Sequence, residues 1–211
     1  MLAVHSYRPE VFTSLPQLHH ASERFASLDG DETVEKEFKD LFRRHGMEHT
    51  FGLTMLHRHF DMAPNERLVE YGATSTPWEL ESDKNTIKPH CWVLGQDGVS
   101  PYEFRYDPQN NATELEIDFN SPKIQAFAHE FIQLVDKIGG TGLFGICAHP
   151  GARQFTNRLE FTEGRANITI PMEEVPEDMK RNMTSAAWYF HNDQLERCSC
   201  STDSSGRHCH S

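Results

Sequence analysis

The stretch Phe51-Gly52-Leu53-Thr54-Met55-Leu56-His57-Arg58-His59-Phe60 marks the point where the hydrophobic period of this chain changes from helical to two. Alternation of this kind predicts a half-buried β-strand, in which residues i and i+2 share a face. Ala63-Pro64-Asn65 then supplies a turn, and Arg67 to Ala73 reads as a return strand. Pairing Asp61 with Glu66 across that turn sets His57 opposite Glu70 and His59 opposite Leu68. This register is an expectation that a one-residue slip would undo.

Further hairpins follow. Ile87 to Leu94 and Pro101 to Tyr106 flank the turn Gly95-Gln-Asp-Gly98, with Pro89 marking a bulge or an edge. Arg158 to Thr162 and Ala166 to Ile170 flank Glu163-Gly164-Arg165. Glu114 to Phe119, Leu143 to His149 and Ala186 to His191 are the remaining strand candidates.

Two helices stand out between the strands. Asp31 to about His45 carries an apolar stripe of Val34, Phe38, Leu41 and Phe42, with Gly46 as its stop. Ser121-Pro122 opens the clearer one, which runs to Gly139-Gly140 with Ile124, Phe127, Ala128, Phe131, Leu134, Val135 and Ile138 on one side. The expected fold is therefore α+β: a single domain on a mainly antiparallel sheet with packed helices. Residues 1–30 read as an N-terminal arm, 31–197 as the domain, and 198–211 as a flexible Cys/His-rich tail.

Length and composition bound the function. A chain of 211 residues suits one domain, and the 14 phenylalanines offset a modest 37% hydrophobic content. A net charge of −12 argues against nucleic acid and against anionic lipid surfaces. No apolar run approaches the roughly 20 residues of a membrane helix. The first residues lack a secretory signal, so a cytoplasmic setting is expected. Five cysteines are present. Cys91 and Cys147, flanked by apolar residues, read as buried thiols, Cys147 as an inert one, and Cys198, Cys200 and Cys209 crowd the C-terminus.

The chemistry-bearing residues centre on His57 and His59. On one strand face, alongside Leu53 and Met55, they could supply two nitrogen ligands to Zn, Fe, Mn or Cu. His90, Glu70 and His149 are candidates to complete the set, with His90 the expected third metal ligand. The same residues also suit a metal-free site, with His57 as general base and Glu70 as its orienting carboxylate. Trp78, Trp92, Tyr102 and His149 would then line a pocket for a small apolar substrate, in chemistry of isomerase, dehydratase or cyclase type. Core histidines held by hydrogen bonds would leave the same pattern. The tail pair Cys198-Ser-Cys200 with His208-Cys209-His210 is rich in ligands for Zn or Cu(I). The reading is a small soluble enzyme or ligand-binding protein. The alternative, from the acidic surface and the ligand-rich tail, is a non-enzymatic partner-binding or effector-like protein.

The run Leu56-His57-Arg58-His59-Phe60, with Leu68-Val69-Glu70, Pro77-Trp78 and Pro101-Tyr102-Glu103-Phe104, is similar to a group of small fungal proteins. The likeness covers the middle of the chain. It implies a fungal origin, and it carries no reaction and no catalytic residue.

Overall fold

The hairpins read over residues 87–106 and 158–170 form, but the first one, over residues 51–73, does not, and the strands do not lie in an open sheet. In the computed structural model, which describes residues 1–81, 86–108, 117–150, 157–191 and 194–203, the strands close into a ring. They are β1 (Phe51–Met55), β2 (Glu66–Tyr71), β3 (Thr74–Glu79), β4 (Ile87–Gly95), β5 (Gly98–Tyr106), β6 (Phe144–Ala148), β7 (Arg158–Glu163), β8 (Ala166–Pro171), β9 (Met183–His191) and β10 (Gln194–Ser201). Around the ring the order is β1-β6-β4-β5-β2-β3-β8-β7-β10-β9, and β9 pairs with β1 to close it. Pairs β2–β5 and β7–β10 run parallel, and the others antiparallel.

The α+β expectation of a mainly antiparallel sheet with packed helices is thus corrected to a closed, mixed ten-stranded barrel. The local hairpins β4–β5 and β7–β8 are where the sequence placed them. What differs is the long-range pairing. The return strand β2 joins β3 and β5 rather than β1, whose neighbours are β6 and β9. The proposed opposition of His57 to Glu70 does not exist. The flexible tail expected from residue 198 is corrected as well, because Cys198 and Cys200 belong to β10 and pair with both β7 and β9. His208, Cys209 and His210 lie outside the described residues, as do residues 114–116 of the strand expected over 114–119, whose remaining residues 117–119 are not strand.

Among the described residues five α-helices accompany the barrel: α1 (Pro9–Thr13), α2 (Leu18–Ser27), α3 (Gly30–Thr33), α4 (Lys39–Arg44) and α5 (Pro122–Lys137). A π-helical turn over Val34–Phe38 joins α3 to α4, so the expected helix from Asp31 is real but interrupted. Ser121 caps α5 by accepting from the Ile124 N–H, and Pro122 takes the first turn. Among the described residues no helix is long and apolar enough to cross a membrane.

The aromatic content goes into an outer core between these helices and one wall of the barrel. Phe51, Leu53 and Met55 of β1, Phe144 and Ile146 of β6, and Trp188 and Phe190 of β9 meet Phe38, Phe42, Phe127 and Phe131 from the helices. Phe51 stacks on Phe127 with centroids 5.8 Å apart, and Phe25 stacks on Trp188 at 5.2 Å. Each such side chain contributes on the order of 1.5–3 kcal/mol by leaving water. A second cluster joins Phe12 and Leu15 of the N-terminal segment to Leu56, Met62, Leu68, Cys91, Tyr102 and Cys147. The first thirty residues are therefore built into the fold.

With the apolar residues of β1, β6 and β9 turned outward to the helices, the alternate positions turn inward. Thr54, Cys147, Ala187 and Tyr189 line an internal cavity. Polar residues at period two mean only "not in the apolar core". Here they face the inside of the ring.

Candidate metal centre and cavity

The cavity measures about 90 Å³, several times the roughly 10–15 Å³ that one water requires. Its lining is mostly polar and charged, including His57, His59, Glu70, His90, Glu103, Arg105, Arg158 and Glu160. The mouths and interiors of barrels are common ligand sites, because closure removes exposed sheet edges and leaves a walled space.

His57 and His59 reach it by leaving the sheet. β1 ends at Met55, and the Leu56 N–H makes a last bond to the Leu143 carbonyl. Leu53 and Met55 point to the outer core, so the expectation that the histidines share their face does not hold. The i, i+2 relation nevertheless survives beyond the strand. Leu56 packs in the second cluster, and Arg58 is tied to the N-terminal segment through Pro16 and Thr13 carbonyls. The two imidazoles turn together to the cavity, with ring centroids 4.8 Å apart and both side chains buried.

The third member of this group is Cys200. One ligand atom from each of His57, His59 and Cys200 lies within 4.8 Å of the others. His57 Nδ1 is 2.8 Å from the Met55 carbonyl oxygen. A carbonyl only accepts, so Nδ1 carries the proton and Nε2 keeps its lone pair. That lone pair faces Cys200 Sγ at 3.4 Å. Burial pushes the His57 pKa below that of an ordinary imidazole, against the pull of the Met55 carbonyl and Glu160. The ring is neutral and oriented, as a metal-ligating histidine must be. Burial, with Glu160 nearby, pushes the Cys200 thiol well above its ordinary range. A bound cation would take the place of that proton.

Glu160 on β7 stands beside the group. Its Oε2 lies 3.5 Å from His59 Nε2 and 3.8 Å from Cys200 Sγ, and it accepts from Asn167 Nδ2 at 3.2 Å. Its Oε1 accepts from Cys198 Sγ at 3.3 Å. Two nitrogens, a sulfur and a neighbouring carboxylate form a donor set suited to Zn²⁺.

Glu70 and His90 lie elsewhere on the lining, bound to each other through Arg105. Arg105 Nη2 is 3.2 Å from both Glu70 oxygens and 3.2 Å from His90 Nε2. Burial raises the Glu70 pKa in spite of that arginine. Burial and the Arg105 charge together hold His90 well below the ordinary range, so it is neutral and accepts from Arg105. Neither residue belongs to the His57–His59–Cys200 group.

Glu103 also lines the cavity. Burial pushes its pKa up to about 8, with Glu160 and Glu70 adding repulsion and the Cys91 thiol partly opposing. At neutral pH it is a carboxylic acid with a proton to give. The Tyr102 hydroxyl lines the cavity too, and burial keeps it protonated.

Of the residues read from sequence, His57, His59, Glu70, His90 and Tyr102 line the cavity. Trp92 instead packs outward against Phe51 and Phe119, and Trp78 lies against Tyr106 with its indole N–H on Thr76. His149 sits at the end of β6 near Tyr189 and His191, its pKa lowered to about 4 by burial and by the neighbouring histidines. None of these three is part of the lining. Sequence reading missed Glu103, Arg105 and Glu160, and it placed Cys200 among the metal ligands of a tail rather than beside His57 and His59. Glu160, between Leu159 and Phe161, and Glu103, between Tyr102 and Phe104, were the available signal: single charges inside apolar strands.

No protein-family model, curated protein or solved structure matches this chain.

Proposed function

We propose that this protein is a zinc-dependent enzyme acting on a small polar substrate inside the barrel, in chemistry of the hydration–dehydration type. The observation that carries the reading is the convergence, within 4.8 Å, of ligand atoms from His57 and His59, which line the cavity, and from Cys200, buried beside them. Three protein ligands and a side open to a cavity are the arrangement of catalytic rather than structural zinc. A zinc ion there would polarise a substrate carbonyl or a bound water. Glu103, protonated at neutral pH, is the proton donor for a leaving hydroxyl. Glu160 is positioned to accept a proton or to complete the ligand set. The charged lining favours a polar guest over the apolar one expected from the tryptophans, which lie outside it.

Elemental analysis tests the first step. Protein prepared with zinc is expected to hold one equivalent, and His57→Ala and Cys200→Ser are each expected to lose it at unchanged circular dichroism. At a free zinc concentration of about 100 Kd the gain is about 2.7 kcal/mol. At about 2–4 °C per kcal/mol for a chain of this size, Tm should rise by about 5–11 °C. Retention of stoichiometric zinc in the doubly substituted protein would move the site elsewhere. No binding in the wild type would remove the proposal.

A further inference from the structure

The cavity wall holds a second reactive group, separate from the histidines. Cys91 on β4 and Cys147 on β6 are Cα partners in the antiparallel β4–β6 pair, and both side chains line the cavity. Directly opposed residues of antiparallel strands have Cα atoms about 4.5 or 5.5 Å apart. Both values fall inside the roughly 4.4–6.8 Å that a disulfide spans. The two thiols are free.

Their surroundings differ. Cys147 Sγ lies 3.5 Å from the Tyr189 hydroxyl. The tyrosine ring reaches that position by lying on Gly52 of β1, where an added Cβ would come within 2.4 Å of the ring and 3.1 Å of Cys147 Sγ. Hydrogen bonding with the Cys91 thiol first, and with the Tyr189 hydroxyl and the Gly52 backbone, holds the Cys147 pKa below the ordinary thiol value against the effect of burial. Burial pushes Cys91 well above it. Hydrogen bonds converge on the Cys147 sulfur, and Cys91 lies directly across the strand pair from it, which suits Cys147 as the attacking and Cys91 as the resolving cysteine.

We propose that Cys147 and Cys91 form a reversible dithiol–disulfide site, oxidised by a small hydroperoxide that enters the cavity. The Cys147 thiolate attacks the terminal oxygen of RO–OH. An S–O bond forms, the O–O bond breaks, and RO⁻ leaves and takes up a proton as ROH. Sulfur loses two electrons to the peroxide and becomes a sulfenic acid. The Cys91 sulfur then attacks the Cys147 sulfur as its own proton departs. The S–S bond forms, the S–O bond breaks, and hydroxide leaves with that proton as water. The net change is two thiols and one hydroperoxide to a disulfide, an alcohol and water. No proposed zinc ligand takes part, so this inference stands or falls apart from the metal.

The test treats the full chain with stoichiometric hydrogen peroxide or tert-butyl hydroperoxide, blocks remaining thiols under denaturing conditions and maps peptides by mass. The expected result is a loss of two hydrogens, a linked Cys91–Cys147 peptide, and reversal by dithiothreitol. Cys91→Ala should stop at a sulfenic acid on Cys147 that dimedone traps, Cys147→Ala should give neither product, and Tyr189→Phe should slow oxidation several-fold. Alanine is chosen because it leaves no unpartnered hydroxyl in the wall, and the wild-type peptide map needs no variant. A disulfide formed by Cys198, Cys200 or Cys209 in place of this one would overturn the proposal, as would oxidation unaffected by Cys147→Ala, or no reaction.

Discussion

Replacing Glu103 by Gln should make the protein more stable, and more so as pH rises. The folded-state pKa of this carboxyl is about 8 against an ordinary value of 4.5, raised first by burial. An acid with a raised folded pKa binds more protons when folded than when unfolded between those two values. It costs nothing below pH 4.5, costs steadily more as pH rises toward 8, and then stays constant. At about 1.36 kcal/mol per pH unit, the cost is about 1.4 kcal/mol at pH 5.5 and at most about 5 kcal/mol at pH 8.5. Water in the cavity screens part of the larger figure. Glutamine keeps the shape and a hydrogen-bonding partner for Cys91 but carries no charge. Urea unfolding of the chelator-treated protein at the two pH values should show the stability of wild type falling by up to about 3 kcal/mol relative to Glu103→Gln. Parallel profiles for the two proteins would refute the reasoning, because they would mean that Glu103 ionises in the folded state as freely as in water.

Other substitutions test the walls of the cavity. Arg105→Ala leaves Glu70 and His90 without the guanidinium that joins them; a loss of about 3 kcal/mol is expected, at the low end for a broken buried pair, and Glu70→Gln in the same chain should restore part of it in urea unfolding. Gly52→Ala places a methyl group against the Tyr189 ring; overpacking should cost about 1–3 kcal/mol, seen as a Tm lowered by several degrees, and should slow peroxide oxidation of Cys147 by displacing the Tyr189 hydroxyl.

Much of the local structure was legible. Helix α5 followed from its Ser-Pro start and apolar stripe, and the β4–β5 and β7–β8 hairpins from alternation and glycine turns. His57, His59, Glu70, His90 and Tyr102 were picked out as a group and do share a cavity. The reason given for Glu70 was not the one that operates, since β2 never pairs with β1 and Glu70 is held by Arg105. Trp78 and Trp92 were drawn into the site because large aromatics suit both pockets and cores, and period alone does not separate the two. Cys200 was assigned to a tail on composition. The strand that includes it is completed by pairing with β7 and β9, segments that no local pattern joins to it.

Hydrophobic period, caps and turn residues act within a few positions of one another, and they set which segments are helix and which are strand. Whether the polar side of each strand meets bulk water or an enclosed space is decided by which strands pair across the ring. The contacts that settle it are as distant in sequence as His57 and Cys200, and only a closed tertiary structure brings such residues together.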